Sequence, residues 1–341
     1  MSINVIYQIE IESSVSKGDE YMVRRLGKLG ILFTCFFLLG GCHLSSSEQK
    51  IKNVGLLITE TVNDQVWGTK GYKGMLTIQS QYHIDVYYKE GIVSKHQIDH
   101  SIQEFEKKGV NLIFGHGNFF AEHFNSLASN YPSIHFVSFN GDAKKDNTTS
   151  FSFDGYAMGF FGGMVAGYMT KTNKIGIIAA YDWQPEVQGF YEGVLYQNPE
   201  AVVEIKYVEH WDDVETALGL FEELLQQKTD VFYPAGDRYN VPIIERVKEN
   251  GLYAIGYISD QSYLGEQTVL TSTVQHVDKL YELAASEFNE GTLESGKISV
   301  DFQDDVISLG TFSPLVDQQF QADILKYIET YKQTGKLPNE D

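Results

Sequence analysis

Short apolar runs and amphipathic stretches alternate along most of this chain. Residues 53–59 (NVGLLIT), 83–88 (HIDVYY), 110–114 and 134–139 are apolar runs bounded by polar residues, the pattern of strands buried on both faces of a parallel sheet. Between them, 66–79, 96–108 and 121–129 place apolar residues at helical spacing, and an Asn140-Gly141-Asp142 turn closes the series. A glycine-rich apolar helix is expected over 156–169. Strands at 174–180, 202–208, 230–234 and 253–257 then alternate with helices near 188–196, 214–227 and 241–250.

This alternation predicts the α/β class, as two doubly wound lobes of similar size. Residues 51–151 make the first lobe and 152–260 the second. A strand at 268–273 and a helix at 277–289 exceed what the second lobe needs, so about 261–295 is expected to return to the first. Residues 296–341 are left as a hinge-crossing segment and tail. Two such lobes with several chain crossings make a hinged clamshell, and ligands of open α/β sheets sit outside the carboxyl ends of the strands.

The N-terminus follows a different pattern. Arg24, Arg25 and Lys28 precede an apolar stretch at 29–39, which ends in Leu39-Gly40-Gly41-Cys42. Basic region, apolar core, small pair and cysteine in this order form a secretory signal with a lipobox. The stretch is about half the roughly 20 residues that a membrane-crossing helix needs. Residues 1–41 are therefore read as signal peptide, Cys42 as the lipidated N-terminus, and 42–50, with three consecutive serines, as a tether. Glu10, Glu12, Asp19 and Glu20 are foreign to an export signal, which makes 1–21 a misassigned extension and Met22 the better start.

The signal holds four basic and four acidic side chains, so the remainder keeps the full net charge of −20. That charge opposes nucleic-acid binding, which relies on Lys and Arg neutralising phosphates. The only cysteines are Cys35, within the signal, and Cys42, so the folded body has neither a disulfide nor thiol chemistry.

Nucleophile-elbow, P-loop and dinucleotide-binding motifs are missing, and no catalytic residue or cofactor is assigned. His96 and His100 stand one helical turn apart on a charged helix and read as a solvated face, not a metal site. Gly159, Gly162, Gly163 and Gly167 read as close helix-to-sheet packing. Candidate ligand contacts fall where strands end: Asn63, Asp64 and Trp67 after the first, His116 in Gly115-His116-Gly117 after the third, and Trp183 at the equivalent turn of the second lobe. Asp237 and Asp260 follow later strands. Two indoles facing one cleft would sandwich a flat ring, with the polar groups accepting its hydrogen bonds.

Residues 62–67 (VNDQVW), the glycine-rich helix from Asp154 to Gly167, Trp183-Gln-Pro-Glu-Val, Asp230-Val-Phe-Tyr-Pro-Ala-Gly and Ile258-Ser-Asp-Gln-Ser-Tyr-Leu together resemble the basic membrane protein family. These are lipid-anchored substrate-binding proteins, similar to purine nucleoside receptors of ABC importers. The resemblance covers nearly all of 51–330. It implies a type I periplasmic-binding fold, a membrane-held extracytoplasmic location, and a nucleoside or base clamped between aromatics, with a permease or signalling protein in the membrane as partner. Trp67-Gly-Thr-Lys-Gly-Tyr-Lys-Gly, His210-Trp-Asp-Asp and Tyr233-Pro-Ala-Gly-Asp are most similar to members that promote competence gene expression. That implies an indirect regulator; a nucleoside receptor for an importer and a cytosolic DNA-binding regulator are the alternatives. The chain departs from the nucleoside receptors at Ile258, Gln275 and Gly68, where they carry a ribose-gripping aspartate, a lysine and an asparagine.

Overall fold

The computed structural model describes residues 50–340 apart from Glu60 and 63–66. The signal, Cys42, the tether up to residue 49, and the candidate contacts Asn63 and Asp64 lie outside the described residues.

The first sheet grows from β1 (Val54–Ile58), β2 (Val86–Lys89), β3 (Leu112–His116), β4 (His135–Phe139) and β5 (Thr148–Phe153), in the order β2-β1-β3-β4-β5. All pairs are parallel, with Val54 opposite both Val86 and Leu112. β1 and β3 are buried along their whole length, as their unbroken apolar runs require. Helices α1 (Trp67–Tyr82), α2 (Lys95–Lys107) and α3 (Phe119–Leu127) connect the strands. Strand β5 (TTSFSF) was not expected: its threonines and serines mimic a loop, yet its first four residues are buried.

The chain then crosses at 154–155 into α4 (Tyr156–Met169), which leads to β6 (Lys174–Ala179), α5 (Pro185–Gln197), β7 (Val202–Tyr207), α6 (Val214–Gln226), β8 (Val231–Ala235), α7 (Asn240–Glu249), β9 (Tyr253–Gly256) and β10 (Val269–Gln275). The second sheet has the order β7-β6-β8-β9-β10, again parallel. Helix α4 packs against α5 backbone to backbone. A Cβ on Gly159 would lie 2.0 Å from the Glu186 carbonyl oxygen, and one on Gly193 would lie 1.9 Å from that of Phe160. The glycines were expected to bring a helix close to a sheet; only Gly162 faces strands, beneath Thr273 and Ile255.

The position of β10 corrects the sequence reading. The strand expected to return to the first lobe pairs with β9 in the second sheet, Ser272 opposite Gly256. Only after His276 does the chain go back, as α8 (Val277–Glu290), whose Tyr281 stacks on Phe114 at 4.4 Å and Phe139 at 4.9 Å. β11 (Gly296–Val300) then pairs in parallel with β5, extending the first sheet into the region expected to be only a crossing segment. β12 (Ile307–Leu309) joins β10 antiparallel, and α9 (Gln318–Thr334) follows. Three crossings therefore link the lobes, at 154–155, 276 and 301–306. They are bonded to one another: Asp154 N donates to Val300 O at 2.8 Å, and His276 N to Val306 O at 2.8 Å.

Candidate binding cleft

Because ligands of open α/β sheets sit outside the carboxyl ends of their strands, the ends of β1, β3 and β4 are the candidate first face of a cleft and those of β6, β8 and β9 the candidate second face. On the first face, Trp67 opens α1 and its indole stacks on the His116 imidazole, centroids 4.7 Å apart and planes 24° apart. His116, the last residue of β3, is only 3% exposed. Its Nε2 lies 2.8 Å from the Trp67 carbonyl oxygen, which can only accept, so this nitrogen carries a proton. The Tyr281 hydroxyl meets Nδ1 at 2.8 Å. His116 thus ties the start of α1 to the sheet and holds Trp67 from beneath. The sequence suggested it as a ligand contact; the structure commits both ring nitrogens to the protein. Gly71 is required here, since a Cβ would meet the His116 ring at 2.8 Å.

The second face is open. Trp183 is 65% exposed and stacks on Tyr181 at 5.4 Å and 14°, with Trp211 edge-on to both rings. Beneath this cluster lies a buried polar network. Gln184, 2% exposed, accepts from Tyr181 N through Oε1 and donates through Nε2 to Glu186 Oε1 and the Ala235 carbonyl, at 2.8, 2.9 and 3.1 Å. The Tyr257 hydroxyl donates to the same Glu186 oxygen at 2.9 Å; burial, with Glu186 beside it, pushes this phenol well above its ordinary pKa. Tyr257 N donates to Gln261 Oε1, and Gln261 Nε2 to Asn240 Oδ1. Asn240 in turn holds the Gly236 and Asp237 carbonyls. One chain of amides and hydroxyls therefore fixes the ends of β6, β8 and β9 against one another, where isolated buried polar groups would each cost about 1–3 kcal/mol.

The two acidic candidates differ. Asp237 is exposed, and its N–H donates to the Trp211 carbonyl at 3.0 Å, linking it to the aromatic cluster. Asp260 is spent internally: it accepts from Thr311 N and Oγ1 and from Ser262 N. Burial pushes its carboxyl up, but these hydrogen bonds outweigh it and hold the pKa below the ordinary value. Among the described residues, no group of three or more His, Cys, Asp or Glu is placed to hold a metal. His100 pairs with Glu104 on the outer face of α2 at 3.3 Å.

Sequence reasoning missed Tyr181, Trp211, the Gln184–Glu186–Tyr257 network and Lys70. Trp211 carried a signal, an indole just beyond a strand. Lys70 carried none: it is one of two lysines on its helix, and only the structure brings its ammonium to the second lobe, 3.0 Å from the carbonyl oxygens of Ile258 and Gln275.

Comparison with known proteins agrees with this architecture. The chain is 54% identical, over 92% of its length and 99% of the relative's, to the transcriptional activator protein Med of Bacillus subtilis. It is 23% identical to basic membrane protein A of Borreliella burgdorferi over 79% of this chain and 81% of that one. A crystal structure of a transcriptional activator of the comK gene from Bacillus halodurans superposes with a TM-score of 0.80 at 51% identity, over 84% of this chain and 99% of that one. A solute-binding protein of an ABC transporter system from Conexibacter woesei, at 19% identity and a TM-score of 0.68, shares the fold alone. The profile of one family, described as ABC transporter substrate-binding protein PnrA-like, matches residues 51–341, and the chain belongs to that family, Bmp.

Proposed function

We propose that this protein is a membrane-anchored, extracytoplasmic binding lipoprotein that promotes competence gene expression indirectly, in the manner of Med. The observation that carries this reading is the 54% identity with that activator along 99% of its length. The net charge of −20 supports an indirect route, because a surface of that sign repels the DNA backbone. Cys42 holds the lipid, and the clamshell acts as a sensor or docking body and not as an enzyme. A flat ring, nucleoside or free base, stacks on Trp183, with Asp237 accepting a hydrogen bond at the rim. Asn63, Asp64 and Trp67 meet it from the first lobe.

A reporter of competence gene expression tests the anchored reading. In a strain lacking the gene, the wild-type chain restores the signal and Cys42→Ala does not; full activity of an unlipidated, cytosolic form would sink it. The family description favours a second reading, a nucleoside receptor serving an ABC importer. A thermal-shift titration against nucleosides and their bases, read together with nucleoside uptake in the deletion strain, separates the two, since a ligand at 100 times its Kd adds about 2.7 kcal/mol of stability. Nucleoside binding together with lost uptake on gene deletion would favour the importer.

A further inference from the structure

We propose that Lys70 is a bridge built into the chain, closing the cleft between the lobes with its own side chain. The proposal rests on reading the space between the strand ends as the ligand cleft. Lys70 lies in the first turn of α1, on the first lobe, and Nζ donates to Ile258 O and Gln275 O, each at 3.0 Å. Both acceptors belong to the second sheet: Ile258 lies just beyond β9, and Gln275 ends β10. Gln275 N also donates to Ile258 O at 2.9 Å, so one carbonyl takes two donors and the adjacent strand ends are locked together.

Ile258 is a β-branched residue with φ of +61°, a conformation such side chains seldom adopt, which persists only where the surroundings impose it. Two donors on its carbonyl supply that constraint, and one of them comes from the opposite lobe. Separating the lobes removes Lys70 and leaves the strained turn held by Gln275 alone. The bridge is therefore coupled to a local backbone change at the mouth of the cleft.

The bridge is also poised to release. Both acceptors are neutral carbonyls, and among the described residues no carboxylate lies within ion-pair distance of Nζ. Burial lowers the Lys70 pKa to about 8; Asp278, at the start of α8, pushes it up, and Lys73, on α1, pushes it down. His276, at the crossing, feels the same ammonium and is itself lowered, chiefly by burial. A cation drawn from water and paired only with dipoles is held less firmly than an ion pair, and a ligand entering between the strand ends can displace it.

Hydrogen exchange with mass spectrometry on the full chain in detergent, with no ligand added, tests this. In Lys70→Met, peptides spanning 255–262 and 272–279 should exchange about tenfold faster or more, since hydrogen bonds from a charged donor are lost. Peptides from β1, β3 and β4 should keep wild-type rates, and Lys70→Arg should restore most of the protection. Wild-type protection in Lys70→Met would overturn the bridge. A uniform rise across all peptides would also overturn it and make Lys70 an ordinary structural contact. Should Lys70→Met fail to fold, the wild type decides. Its protection at 255–262, corrected for intrinsic exchange, should rise by about tenfold between pH 7 and 9.5, because the open form binds the proton more tightly; unchanged protection refutes the proposal. A failed nucleoside titration leaves this result untouched, and a failed bridge leaves ligand binding untouched.

Discussion

Trp67 and Trp183 both follow the first strand of their lobe, and the fold treats them in opposite ways. Trp67 stacks on an imidazole that is 3% exposed and bonded on both nitrogens, and it packs against the first-lobe core. Trp183 is 65% exposed, supported on one side by Tyr181 and edged by Trp211. The same residue type at equivalent turns is backed by a buried imidazole and half-buried in one lobe and stands largely in solvent in the other. The outward stance of Trp183 depends on the buried groups around it, as Gln184 holds the turn at Tyr181.

The comparison can be broken first at its buried side. His116→Ala removes the ring beneath Trp67 and leaves the Tyr281 hydroxyl and the Trp67 carbonyl without that partner, so urea denaturation should show a loss of about 3 kcal/mol. A loss below about 1 kcal/mol would mean that the first face is as loosely built as the second. Gln184→Leu should cost about 2 kcal/mol by orphaning Tyr181 N and removing one of the two donors to Glu186 Oε1. It should also broaden the fluorescence of the Trp183 cluster, which a purely distant effect would spare.

The third prediction concerns the contact between the faces. Lys70 has a folded pKa of about 8 against an ordinary 10.5, so between these values the unfolded chain holds a proton that the folded one has released. Stability must therefore rise with pH from about 8 to 10.5. The wild type should gain on Lys70→Met across that window, measured as the difference in unfolding free energy at pH 7, 8.5 and 10. A difference that stays flat or falls would contradict the burial of the ammonium. The smallest effect on stability is expected at the exposed plate: Trp183→Ala should change it by about 0.5 kcal/mol or less. It should nonetheless weaken binding of any flat ligand by about tenfold, the worth of one aromatic stack.

Much of the architecture was legible from local pattern. The strand read at 174–180 is Lys174–Ala179, and the helix read at 214–227 is Val214–Gln226, because burial on a fixed period shapes both sequence and element. β5 was not legible, since its threonines and serines are buried through hydrogen bonds to other segments, as Thr149 Oγ1 donates to Glu294 O. The lobe given to β10 was misread for the same kind of reason: a strand's composition does not say which edge it joins. Ile258 and Gln275 stood out by their side chains, yet it is their backbone carbonyls that meet Lys70.

By itself, then, the sequence determined the alternation of strands and helices, the two-lobed class and the family, all of which depend on short-range periodicity or on motifs read in line. Only the tertiary structure decided that His116 supports Trp67, that Trp183 stands open, that Asp260 is spent on Thr311, and that a first-lobe lysine reaches second-lobe carbonyls. Exposure and hydrogen-bond partnership are set by residues tens to hundreds of positions away, and no local pattern encodes which distant group will arrive.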